Sequence, residues 1–103
     1  MPRGEEEAFE EIRGLARSVI DLARRAVGEY EPIVDDIVRS RSTDVRHIER
    51  TLDGLLDFCF DADALFLYKE LCRHYDDIDP VATAFSIQSY RELWESEPEE
   101  QSG

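Results

Sequence analysis

Apolar residues recur along this chain at alternating spacings of three and four. The clearest run is Phe9, Ile12, Ala16, Val19, Ala23, Ala26 and Tyr30. On a helix of about 3.6 residues per turn, this spacing gathers them on one face. The pattern predicts an amphipathic first helix over residues 5–27. Its charges are also ordered: Glu5, Glu6, Glu7, Glu10 and Glu11 come first, and Arg13, Arg17, Arg24 and Arg25 follow. That order complements the helix dipole. Gly28 suits the left-handed residue that ends a helix, and Pro32 suits the first turn of the next. A short second helix is therefore expected over 32–40, with Ile33, Val34, Ile37 and Val38 as its apolar face.

Ser42 or Thr43 can cap a third helix over 43–60, striped by Val45, Ile48, Leu52, Leu55 and Cys59. Asp61 is a capping residue for a fourth helix over 62–75, with Phe60 placed to pack on Leu65 as a hydrophobic staple. Asp79-Pro80 opens a fifth over 80–95, where Asp caps and Pro takes the first helical position. No segment alternates as a strand does. The expected fold is all-α: a single compact bundle of four to five helices, with the long N-terminal helix packed against the third. Residues 1–95 form one domain, and 96–103 form an acidic tail expected to be disordered.

Composition narrows the partners. The chain has 103 residues, enough for one domain. Its formal charge of −13 disfavours general binding to nucleic acid or anionic membrane. The longest apolar run, Ala64 to Tyr68, is far shorter than the roughly 20 residues of a membrane span. The first residues lack the apolar stretch of a signal peptide, so a cytoplasmic location is expected. Cys59 and Cys72 lie among apolar neighbours and should behave as small core hydrophobes.

Three constellations could carry chemistry. Glu49, Asp53, Asp57 and Asp61 are each four residues from the next and form an acidic ladder. Carboxylates so placed repel by roughly 0.2–0.5 kcal/mol per pair, so something should offset them. Mg²⁺ or Mn²⁺ is one candidate, and the Arg13, Arg17 and Arg24 stripe is another. Arg39, Arg41, Arg46, His47 and Arg50 form the one locally basic stretch and could hold an anion. Finally, Leu65, Phe66, Leu67 and Tyr68 are too many large apolar residues in a row for a helix covered on one side. Either that helix is central, or Phe66 and Leu67 meet another chain.

No catalytic motif accompanies these features, and no cofactor is expected. The sequence points to a small acidic interaction or regulatory module, acting as a homodimer or on another protein. Two alternatives remain. One is a metal-dependent hydrolase of a phosphorylated small molecule, with Mg or Mn on Asp53 and Asp57 and phosphate on Arg46 and Arg50. The other is an acidic inhibitor or decoy for a basic protein site.

Overall fold

The computed structural model describes residues 3–95; the predicted tail at 96–103 lies outside them. The fold is all-α, and the described residues contain no strand. The helices are α1 (Arg3–Ser40), α2 (Val45–Leu56), α3 (Ala62–Asp76) and α4 (Pro80–Tyr90), followed by a π-helical turn, Arg91–Glu95. α3 is central: α1, α2 and α4 all pack on it. The long α1 also packs on α2, which corresponds to the expected third helix. The core is built from Val27, Val34, Ile37, Ile48, Leu52, Leu55, Leu67, Leu71 and Tyr75, with Cys59 and Cys72 among them.

The largest departure from the sequence pattern is in α1. The predicted break at Gly28 does not occur, and one helix of 38 residues absorbs both predicted helices with Pro32 inside it. Gly28 takes no left-handed conformation. An interior proline costs about 3 kcal/mol, because it removes one hydrogen bond and its ring presses on the carbonyl four residues back. Here that carbonyl belongs to Gly28, where no side chain adds to the crowding. Pro32 itself faces solvent. Ala23, Ala26 and Val27 before it, and Val34 and Ile37 after it, are all buried in the bundle. Burial on both sides of the proline keeps the chain helical through it.

The real end of α1 is at Ser40. The Ser42 N–H donates to Ile37 O at 3.0 Å and the Arg41 N–H to Val38 O at 3.2 Å. This bond pair is a Schellman closure, which needs a left-handed residue. Arg41 supplies it, with φ 56°, at a position usually held by glycine. The turn is tied to α3 by His74, whose Nε2 lies 2.8 Å from Ser42 O.

Capping places the remaining boundaries. α2 begins at Val45, and its cap is Asp44 rather than Ser42 or Thr43. The Asp44 carboxylate accepts from the His47 N–H, while Ser42 Oγ accepts from the Asp44 N–H. α2 also stops at Leu56, short of the predicted residue 60. Asp61 is extended and caps α3 through the N–H groups of Asp63 and Ala64, as expected. The intervening residues close by tighter bonds, such as Phe58 N–H to Leu55 O at 2.9 Å. Phe60 stacks obliquely on Trp94, with centroids 5.8 Å apart. Asp79 caps α4 and Pro80 takes its first turn, again as expected.

Gly54, which weakens α2 as an isolated helix, has a packing reason. A Cβ there would run into the Tyr30 phenol, with Cζ only 2.7 Å away. Glycine gives the α1 tyrosine its seat across α2.

Candidate interaction surface

The apolar stripe of α1 has two fates. From Ala23 onward it is core. Before Ala23 it continues in the same period, but every described side chain is exposed. Phe9 (59%), Ile12 (62%), Leu15 (68%), Val19 (49%), Ile20 (55%) and Leu22 (52%) all face solvent. This half of α1 is an arm extending from the bundle. The molecule measures 60 × 40 × 18 Å, with a radius of gyration of 17.5 Å. A compact domain of about 100 residues has a radius near 13 Å, so the arm dominates the shape. Soluble monomers rarely show apolar patches above a few hundred Å². Here six large exposed side chains lie in one continuous stripe.

At the base of the arm, Arg24 Nη1 reaches Asp61 and Asp63, each at 2.9 Å. Burial works against the Asp61 charge, yet the Arg24 hydrogen bond, aided by the Ala64 and Asp63 N–H groups, holds its pKa below the usual carboxylate range. Beside this pair, a groove between α1 and α3 is lined by Arg24, Val27, Phe66 and Glu70. Further out, the Arg13 guanidinium sits 5.2 Å from the Phe9 ring centroid, a cation–π contact on the arm itself.

Among the residues singled out from sequence, Phe66 and Leu67 separate. Phe66 is 65% exposed at the foot of the arm, whereas Leu67 is buried in the core. Adjacent helical positions are about 100° apart, yet both side chains border the groove between α1 and α3. The run Leu65–Tyr68 is explained by the central position of α3, covered from several sides.

The acidic ladder is partly committed to protein partners. Glu49 accepts from the Tyr75 hydroxyl at 2.5 Å. Asp61 caps α3 and pairs with Arg24. Asp57 is the C-terminal cap residue of α2. Among the described residues, no group of three or more His, Cys, Asp or Glu side chains is arranged to hold a metal ion. The pairing expected between the ladder and the α1 arginines is present at Arg24.

The basic stretch divides into separate roles. Arg39 pairs with Asp35 one turn earlier, at 3.3 Å. Arg41 makes the left-handed turn. The His47 backbone N–H is taken by Asp44. Arg46 and Arg50 lie one turn apart and exposed on α2.

Sequence reasoning missed the groove between α3 and α4, a cavity of about 540 Å³. Leu65, Tyr68, Cys72, Ile87 and Tyr90 form its apolar lining, and Lys69, Arg73, Arg91, Asp76 and Glu95 its charged lining. Lys69 and Arg73 are one turn apart, a spacing visible in the sequence. Arg91 comes from the π-helical turn, which no pattern announced. Both cysteines are free and buried. Burial pushes the Cys59 thiol up to about 12 and the Cys72 thiol up to about 11, so neither is poised as a nucleophile.

No helix among the described residues is long and apolar enough to cross a membrane. Comparison with known proteins finds no matching family model, no similar curated protein and no similar solved structure.

Proposed function

We propose that this protein is an interaction module that works as a homodimer, joined through the exposed half of α1. The observation that carries this reading is the continuation of the core stripe of α1, in unbroken period, onto an arm that nothing among the described residues covers. Two such arms laid face to face remove both stripes from water. Phe66 and Leu67, which border the groove at the base of the arm, sit where the end of a partner arm would reach the bundle.

The test is solution mass by light scattering. The wild-type chain of 11.9 kDa should travel as a particle of twice that mass. Ile12→Asp with Val19→Asp should give a monomer with an unchanged helical signal, because neither side chain is part of the core. A wild-type monomer at tens of micromolar would overturn the reading.

A further inference from the structure

We propose that the second copy of the chain lies antiparallel along the arm, with the two-fold axis passing beside residue 14. This rests on the homodimer reading and adds its geometry. The arm is electrically polar along its length. Its outer part carries Glu5, Glu6, Glu7, Glu10 and Glu11; the part nearer the bundle carries Arg13, Arg17, Arg24 and Arg25.

Glu5 lies on the apolar face one turn before Phe9, but the charges nearest the middle of the arm flank the stripe. On a helix, Glu6, Glu10, Arg13 and Arg17 fall along one edge of the apolar face, and Glu11 falls along the other. When two helices pair antiparallel, each edge meets the same edge of its partner. In that register Glu10 is level with the partner's residue 18, beside its Arg17, and Glu6 is level with the partner's residue 22, between its Arg17 and Arg24. By symmetry each contact occurs twice. A parallel, in-register pair does the reverse. It sets Glu6 and Glu10 beside the partner's Glu11 and brings the acidic end of one arm alongside the acidic end of the other. Like charges at this range oppose association and choose the partner's direction.

The apolar positions accept the antiparallel register. With the axis beside residue 14, Phe9 meets the partner's Val19 and Ile12 meets the partner's Ala16, so a large side chain faces a smaller one in each layer. The N-terminal end of each arm then arrives at the other copy's Arg24 and Phe66. There a groove is open between α1 and α3. The occupant of the arm is therefore a second copy of this chain, reversed.

Single-cysteine pairs in the full chain read the direction. F9C and V19C are prepared separately, then oxidised alone and after mixing; the native thiols are buried. In the antiparallel dimer, position 9 of one chain lies about 15 Å along the axis from position 9 of the other, too far for a disulfide. F9C alone and V19C alone should cross-link poorly, and the mixture should cross-link at least about tenfold faster. Rapid cross-linking of F9C alone would mean a parallel pair. It would overturn this proposal while leaving the homodimer intact. A wild-type monomer by light scattering removes both.

A second readout leaves the apolar face untouched. Spin labels at E7C, on the outer side of the helix, should be offset by about 20 Å along the axis in the antiparallel dimer and by none in a parallel one. A distance matching a zero offset overturns the proposal.

Discussion

Arg41 is the residue whose backbone disagrees most plainly with its side chain. It adopts φ 56° to close α1, where a Cβ crowds the following carbonyl. Arg41→Gly keeps the closure and removes the crowding. The expected gain is about 1 kcal/mol, or roughly 4–8 °C in Tm for a domain of this size. Thermal unfolding followed by circular dichroism measures it; a fall in Tm would mean that the Arg41 side chain contributes more than its backbone costs. Gly54 is the opposite case. By helix propensity alone, Gly54→Ala should stabilise α2 by up to about 1 kcal/mol. Because the new methyl would overlap Tyr30, the substitution should instead destabilise the protein. The sign should reverse in a Tyr30→Ala background, where the space is free. A double-mutant cycle by urea denaturation reads the reversal, and two additive single effects would rule out the contact.

Tyr75 gives the residue scale its pH dependence. It is fully buried and donates to the Glu49 carboxylate. Burial, then the bond to Glu49, pushes its phenol from near 10 up to about 12. The folded state thus holds the proton more tightly than the unfolded state does. Its contribution is complete below pH 10 and is lost as pH rises from 10 to 12. Cys59 and Cys72, raised to about 12 and 11, act in the same direction from about pH 9 upward. Denaturant midpoints should fall steadily above pH 9. Tyr75→Phe should flatten only the part of that fall above pH 10, and an unchanged slope there would exclude Tyr75 as a source.

Whole elements depend on how far local signals outweigh packing. Local signals were sufficient at Asp61 and at Asp79-Pro80, because an aspartate that satisfies backbone N–H groups acts within a few residues. They misled at Gly28 and Pro32, where both residues normally punctuate a helix. The decision there belongs to tertiary contacts, since Ala23, Ala26, Val34 and Ile37 are all buried in one bundle. The same limit explains the site. The stripe of α1 was visible from sequence along its whole length. Which half would be covered was not, because that depends on where α2 and α3 lie. Phe66 and Leu67 likewise look equivalent until α3 is placed at the centre. If packing overrides the proline, relieving it should stabilise the native protein. Pro32→Ala restores the missing N–H in an exposed position and should add about 1–3 kcal/mol. Urea unfolding measures this, and a loss of stability would show that the proline shapes α1 in a way the bundle needs.

At the scale of the whole molecule, net charge and local charge act at different ranges. Each chain carries −13, so two copies approach as like-charged bodies. The contacts along the arms join opposite charges a few ångströms apart. Screening separates the two effects, because the Debye length falls from about 30 Å at 0.01 M salt to about 8 Å at 0.15 M. Over that interval the long-range repulsion is largely removed, while close ion pairs and the apolar stripe keep most of their attraction. The homodimer should therefore tighten as salt rises to 0.15 M. An acidic decoy bound to a basic protein would behave in the opposite way, since its attraction comes from the same long-range field. Sedimentation equilibrium across this salt range distinguishes them. A dimer that loosens steadily from the lowest salt upward would mean that opposite charges, rather than the exposed stripe of α1, hold the two chains together.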